Sequence, residues 1–581
     1  MNRGGSFLIT PLDEYKILTP EHFTEDHRDF REAVLDFAQE TIKPRANDIE
    51  KLDESLTRNL FEQMGEMGML GVDIPEEFGG LGLDKTAAAL VVEALAYSGS
   101  GSLLVTYSDH TGIALFPILW YGNQAQRKKY IPEMMSGKSL GSYALTEPGA
   151  GSDALNSNTS AVLSDDGKYY ILNGTKQFIT NGSWADIGVV FAKVDGTKFT
   201  AFILDRTMEG WKRGPEEHKI GIKGSSTTTY IMDNCKIPVE NVIGKVGSGA
   251  GVAFNVLYIG RLKLGAVTMG AGKAMIKEAL DYAKERKQFA QSISNFGMLQ
   301  SKFAEMIVGS FEAETVTYAT TGALDANIEK LADGHPDYYI QLQQIVEDHA
   351  IETSINKVLS SEVLFHNVDE GLQVLGGYGY TEEYPFARYY RDERINRIFE
   401  GTNEINRLII GGTMLKKAIM EEIPLRDAIS KIGDSWVQQH ENKDAMRIDL
   451  ARTILLVTLN DLILKYGQDF KSRQWMIKPF ADIVIAFQVM TAVYARKVAA
   501  DGSSSKSIID DIATASIDKR FIEITNSADI IWRHILCSDD IKKRKKSLND
   551  ALDAMDYFPD VVTLRQNIFN DLMEKGEYNF G

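Results

Sequence analysis

The hydrophobic period of this chain changes twice, and that restricts its fold more than any other feature. Over residues 24–42, Phe30, Val34, Phe37, Ala38 and Ile42 recur at helical spacing, with Pro44 as the expected stop. Leu60, Phe61, Met64 and Met67 repeat the pattern before Gly68, and residues 85–97 read as an alanine-rich helix. From about residue 142 the texture becomes β-branched and aromatic. Tyr169-Tyr170-Ile171-Leu172 precedes Asn173-Gly174, a hairpin-turn signal, and residues 187–194, 199–204 and 228–232 read as strands. After Lys245-Val246-Gly247-Ser248-Gly249-Ala250-Gly251, amphipathic helices return to about residue 417. Residues 421–581 are helical again, for example at 454–466 and 479–498; Pro479 is expected in a first turn, where its missing N–H costs nothing. The fold class is therefore mainly α with an inserted β domain. Four parts are expected: a helical 1–141, a β domain 142–250, a helical bundle 251–420 and a helical extension 421–581.

Composition narrows the partners. With 81 acidic against 63 basic residues, nucleic acid is not an expected partner, and any polyanionic ligand must be held by local arginines or lysines. Only Cys235 and Cys537 occur, which leaves no disulfide framework, no zinc spacing and no expected metal, and suggests a reducing compartment. The first twenty residues hold no apolar signal core, and no stretch is expected to approach the ~20 apolar residues of a membrane span. A cytoplasmic protein is expected, with weak peripheral membrane contact at most. Lys542-Lys543-Arg544-Lys545-Lys546 reads as a solvated helix face or loop in preference to an anionic-membrane contact, and Asp501-Gly502-Ser503-Ser504-Ser505 as a loop between helices.

One stretch carries chemistry. In Arg397-Ile398-Phe399-Glu400-Gly401-Thr402-Asn403-Glu404-Ile405 a carboxylate precedes glycine, shortly after a second glycine-rich run, Gln373-Val374-Leu375-Gly376-Gly377-Tyr378-Gly379. Glycine lets the backbone bend and a ligand come close, and a carboxylate on such a bend can act as a base. Alone, Glu beside Gly is more often a plain surface turn. Other runs stand in one order with it: Ile74-Pro75-Glu76-Glu77-Phe78-Gly79-Gly80-Leu81-Gly82, Tyr143-Ala144-Leu145-Thr146-Glu147-Pro148-Gly149-Ala150-Gly151-Ser152-Asp153, Phe178-Ile179-Thr180-Asn181-Gly182, Gly224-Ser225-Ser226-Thr227 and Arg286-Lys287-Gln288-Phe289. Over residues 25–415 this series resembles the acyl-CoA dehydrogenase family of flavoproteins. The residues beyond 415 are similar to the C-terminal extension of its very-long-chain branch.

The resemblance implies an N-terminal helical domain, a middle β-barrel-like domain, a four-helix bundle and an extra helical domain. It implies FAD-dependent α,β-dehydrogenation of a fatty acyl-CoA to the trans-2-enoyl-CoA, as in fatty acid β-oxidation, with electrons passed to electron-transfer flavoprotein. Such a reaction needs a base, a hydride acceptor that no side chain supplies, and donors for the thioester oxygen. The family's base maps onto Glu400, whose N–H would also hold the thioester carbonyl; Glu404 is expected to be structural. Some members carry the base before an arginine on an earlier helix, but here that position is Gly260, followed by Arg261. Arg261, Gly401 and Ser152 are the implied substrate contacts; for Arg261 a structural ion pair fits equally well. For FAD the implied residues are Tyr143, Leu145 and Thr146 at the ring edge, Gly151 and Ser152 at the pyrophosphate, Phe178 and Thr180 over the ring, and Thr402. Many relatives have tryptophan where this chain has Phe178. Arg286, Phe289 and Gln300 match positions that reach a neighbouring subunit's FAD, and Gln373 and Gly377 those that receive its adenosine end, which implies a homodimer. The pocket floor maps to residues 107–116, where Gly112 and Ala114 leave space and the direction of Asp109 is open; His110 is expected to be a satisfied helix residue. Two alternatives stay open: an acyl-CoA oxidase using oxygen, and an assembly or scaffold flavoprotein with secondary dehydrogenase activity.

Overall fold

The computed structural model describes residues 3–332, 335, 337–433, 436 and 440–580. Helix α1 (Glu25–Asp36) opens where the Thr24 hydroxyl accepts the His27 N–H. Pro44 does not stop the chain: a π-helical stretch, Phe37–Ile42, and a 3-10 turn, Lys43–Arg45, carry it to Ile49. Proline is accepted because it lies at the start of the new turn, where an N–H has no partner to lose. Next come α2 (Glu54–Glu66), α3 (Lys85–Ala96) and α4 (Gly101–Ser108), capped by Asp53, Asp84 and Ser100. A second π-helical stretch, Asp109–Ala114, extends α4 towards α5 (Gln124–Met135).

The middle of the chain is an eight-stranded sheet: β1 (Gly141–Ala144), β2 (Ser160–Leu163), β3 (Tyr169–Thr180), β4 (Ile187–Val194), β5 (Lys198–Asp205), β6 (Trp211–Arg213), β7 (Thr227–Pro238) and β8 (Val242–Ile243). Its order is β6-β7-β3-β2-β4-β5-β8, with β1 parallel to β4. Strand β4 divides its side chains by period two. Ile187, Val189 and Phe191 pack against Leu115, Leu119 and Val256 of the helical part. Val190, Ala192 and Val194 fill the sheet's other core with Leu172, Tyr230 and Ile237. Burial on both faces explains the apolar run from Ile187 to Ala192. The expected hairpin at Asn173-Gly174 is not there. Strand β3 runs straight through it with a register shift against β7, and Gly174 (φ 152°) takes up the irregularity.

Helices α6 (Gly249–Glu285), α7 (Gly297–Ile328), α8 (Ala350–Leu375) and α9 (Asn403–Ile419) form the bundle. Gly265 lets α6 approach α8 closely; a Cβ there would collide with the Asn356 side chain, whose Oδ1 accepts the Thr317 hydroxyl at 2.7 Å. The extension adds α10 (Lys443–Tyr466), α11 (Gln474–Ala499), α12 (Lys506–Ile535), α13 (Ser538–Met555) and α14 (Val561–Lys575). Because α11 starts at Gln474, Pro479 lies inside the helix and not in its first turn. Contrary to expectation, α6 and α11 are long and apolar enough to cross a membrane, but 67% and 89% of their most apolar windows are buried inside the fold. The basic run lies on α13, where Arg544, Lys545 and Lys546 pair with Asp461, Asp529 and Asp550.

Buried charge joins the extension to the rest. The fully buried Arg496 of α11 bonds Glu21 at 2.8 Å and Glu314 of α7 at 2.6 Å; Glu314 also pairs with Lys273 of α6, which bonds Glu93 of α3 at 2.9 Å. Removing one member of a buried network strands its partners, at a cost of about 3–5 kcal/mol. Arg496→Ala is therefore expected to lower stability by that order in urea unfolding. A loss below about 1 kcal/mol, the worth of an exposed pair, would contradict this role.

Candidate active site

Glu400 stands on a turn between the 3-10 segment Arg394–Arg397 and α9. Glu400 and Gly401 both have positive φ, 56° and 79°. For a non-glycine residue such a conformation costs about 1–3 kcal/mol and persists only when its surroundings dictate it. Three helices do so here. Arg261 Nε of α6 donates to the Glu400 carbonyl at 3.1 Å, Lys357 Nζ of α8 to the Gly401 carbonyl at 2.9 Å, and Asn406 Nδ2 of α9 to the same carbonyl at 2.8 Å. Thr402 caps α9 by accepting the Ile405 N–H. Among the described residues the Glu400 N–H has no hydrogen-bond partner.

The carboxyl itself points the other way. Its Oε2 is buried without a partner and faces an apolar slot. Gly260 leaves room for this arrangement: a Cβ there would lie 2.6 Å from Oε2, and the carboxyl would have to move aside. Burial pushes Glu400 up to about 7, against the pull of Arg261 and Lys357. Burial and Glu400 together hold Asp109, which lines the same slot, well above the usual carboxylate range. Asp109 thus points inward. His110 is a satisfied core residue, bonded to the Met134 carbonyl and the Gly141 N–H.

The slot follows one face of α6, through Gly260, Leu264, Val267, Ala271, Ala274 and Glu278, so at 1.5 Å per residue it extends about 27 Å. Opposite are α3, α4 and the helix Pro385–Glu393. Asp392 and Glu393 of that helix face the slot with unpartnered oxygens, and burial pushes them up to about 7 and about 8.

Thr180, the last residue of β3, also lines the slot. A second register shift in β3, between Lys176 and Ile179, gives Phe178 a φ of 60° and leaves its ring 59% exposed. Bulges re-aim side chains in this way. The turn 147–153 is tied down by Glu147, which accepts the Asn158 and Thr159 N–H groups and the Lys176 ammonium at 2.7 Å. Beyond it Ser152 is exposed, and space is open around Gly149 and Gly151. Leu145 is buried and Thr146 half-buried, its carbonyl accepting the Gln177 N–H. The Tyr143 ring packs on Phe191 in the core, so only its backbone is left for a ligand.

Several expected residues lie elsewhere. Arg286 is 26 residues along α6 from Gly260, about 39 Å. It stacks over Tyr378, near the exposed Gln373 and Gly377, while Phe289 is 89% exposed and Gln300 donates to the Ser294 carbonyl. Arg261, expected as a substrate contact or ion pair, supports the turn from behind through a carbonyl. Glu404 is exposed and held below its ordinary range by hydrogen bonds at the start of α9. Sequence reasoning missed Lys357, Asn406, Asp392 and Glu393. Lys357 left a signal, a lone cation inside the apolar run Ile355-Asn356-Lys357-Val358-Leu359, and burial pushes it down to about 7.

Family models described as the acyl-CoA dehydrogenase N-terminal, middle and C-terminal domains match residues 24–138, 142–235 and 247–415. A probable acyl-CoA dehydrogenase of Bacillus subtilis is 41% identical, over 87% of this chain and 86% of its own. The human mitochondrial very long-chain specific acyl-CoA dehydrogenase is 37% identical, over 70% of this chain and 60% of its own. A crystal structure of an acyl-CoA dehydrogenase from Bacillus anthracis complexed with FAD superposes with a TM-score of 0.96 at 36% identity, covering all of both chains.

The raised Glu400 value has a stability counterpart. A carboxyl lifted from 4.5 to about 7 favours folding in its protonated form, so the penalty of its charge grows as pH rises between those values and is complete above about 7. Glu400→Gln removes that penalty. It is expected to exceed the wild type in urea-unfolding stability by up to about 3 kcal/mol near pH 8, with the gap closing near pH 5. Equal stability at both values would show that the carboxyl is solvated.

Proposed function

This chain belongs to the acyl-CoA dehydrogenase family, and we propose that it converts long-chain acyl-CoA thioesters to trans-2-enoyl-CoA, with Glu400 as base, FAD as acceptor and electron-transfer flavoprotein as onward partner. One observation carries the assignment of the base. Glu400 Oε2 is a buried, unpartnered carboxyl oxygen facing a long apolar slot, and it titrates near neutrality. A general base works best when its pKa lies near the working pH.

The residues present fit FAD. The exposed, bulged Phe178 offers a face to a planar ring, Thr180 adjoins it, and the open space at Gly149 and Gly151 lets a pyrophosphate approach backbone and Ser152. When bound, FAD supplies the hydride acceptor that side chains lack. The chain's own residues do the rest. The slot excludes water and holds the acyl tail. Glu400 takes the α-proton onto Oε2, and its free N–H donates to the thioester oxygen as negative charge develops there. Burial and the neighbouring Glu400 hold Asp109 well above the usual carboxylate range, which disfavours a second negative charge beside the base. Gly260 supplies no rival base and gives Glu400 its room.

The separation of Arg286, Phe289, Gln373 and Gly377 from Glu400 supports a cofactor site completed by a second copy. A homodimer is therefore expected in light scattering, and a stable monomer or tetramer would overturn it. The decisive test is anaerobic bleaching of the bound flavin by octanoyl-, hexadecanoyl- and isobutyryl-CoA. Wild-type protein is expected to bleach fastest with the longest straight chain, at a rate that rises with pH through about 7 as Glu400 loses its proton. Glu400→Gln is expected to keep flavin and bind acyl-CoA but to bleach about 10²–10⁴-fold more slowly. Near wild-type bleaching by that variant would remove Glu400 from the role.

A further inference from the structure

The far end of the slot is closed differently from its walls. Tyr97, Ala274 and Glu278 line the slot and also line a hollow on the outer side, beneath residues 577–580, so the same side chains bound both. Glu278 and Tyr389 likewise line both the slot and a second surface hollow. Thus the slot is stopped by a single partition, with a carboxylate at its centre.

The partition has one fixed and one loose part. Tyr389 is buried, and its hydroxyl is wedged against Gly99, where a Cβ would lie 2.6 Å away. It donates to Glu278 Oε2 at 3.1 Å. The other Glu278 oxygen takes its shorter bond from Lys43, at 2.8 Å, with the Tyr389 hydroxyl at 3.4 Å; Lys43 lies on the turn that follows the first π-helical stretch, and its side chain is 48% exposed. Exposed ion pairs of this kind are weak, whereas each methylene taken out of water adds favourably to binding. An alkyl chain pressing on this end therefore meets resistance that its own burial can exceed. Beyond the partition, Phe23, Leu35, Tyr578 and Phe580 offer apolar surface between charged side chains, Arg28, Arg31, Glu32 and Lys277 among them, that also line the hollow. The 577–580 segment above them is anchored by the bond from the Tyr578 hydroxyl to Glu314 at 2.6 Å and by the Phe580–Phe311 contact.

We propose that Lys43, Glu278 and Tyr389 form a gate at the inner end of the slot, through which the ω end of an acyl chain longer than the slot passes into the hollow beneath residues 577–580. The proposal rests on the acyl-CoA dehydrogenase reading. It makes Lys43 a specificity-determining residue far from the reacting atoms.

Two measurements on the flavin-loaded protein test it. The first is photo-crosslinking with a tetracosanoyl-CoA that carries a diazirine at its ω carbon, followed by peptide mapping. Label is expected on the peptide after Lys575; label confined to α3, α4 or α6 would overturn the gate. The second is the ratio of kcat/KM for tetracosanoyl-CoA to that for octanoyl-CoA, measured by flavin bleaching. Lys43→Ala is expected to raise the ratio several-fold, and an unchanged ratio overturns the gate while leaving the dehydrogenase reading in place. No bleaching of the wild type by either thioester would overturn the dehydrogenase reading, and the gate with it.

Discussion

A carboxyl oxygen can stay buried and unpartnered only if the backbone beneath it cannot turn it towards a donor. Here two successive left-handed residues carry that oxygen, and side chains from α6, α8 and α9 grip their carbonyls. The cations involved, Arg261 and Lys357, contact backbone and leave the carboxyl itself unpaired. Had either guanidinium or ammonium formed an ion pair with Glu400, the carboxyl would have been held low and been a poorer base. The bundle thus spends three polar side chains to keep one oxygen free.

The same logic extends outward. Strand β4 is packed on both faces and paired on both edges, so the strands beside it have a rigid reference. On that frame the irregularity of β3 is confined to two points, and one of them turns Phe178 out to solvent. Polar groups inside the slot, Asp109, Asp392 and Glu393, are tolerated because burial keeps their carboxyls protonated over a wider pH range.

Much of this was legible in the residues. The change of period at about residue 142 and the Glu400-Gly401 pair point to the sheet and the turn, because local backbone preference and side-chain period govern both. Gly260 was legible as an absent base, though not as the space that Glu400 needs; that relation joins residues far apart in sequence. Asn173-Gly174 misled because a turn signal and a bulge signal use the same glycine, and only the β7 partner decides between them. Pro44 misled because it falls at the start of a new turn, where it has no bond to lose, and Pro479 because packing of the surrounding helices outweighs the local cost of a missing N–H. The Lys43–Glu278 contact, between a surface turn and the far end of α6, leaves no trace in either segment alone.

The Arg496 network also has a temporal side. Its bond to Glu21 joins groups 475 residues apart along the chain. A ribosome adding about 5–20 residues per second needs on the order of half a minute or more to make the second partner after the first. Throughout that interval Glu21, at the entry to the early helices, lacks the cation that later seals it. Contacts of such long sequence separation also form slowly once both partners exist. The interval falls before the protein can work at all, and it exposes apolar helix faces to chaperones and proteases in the cell that makes it.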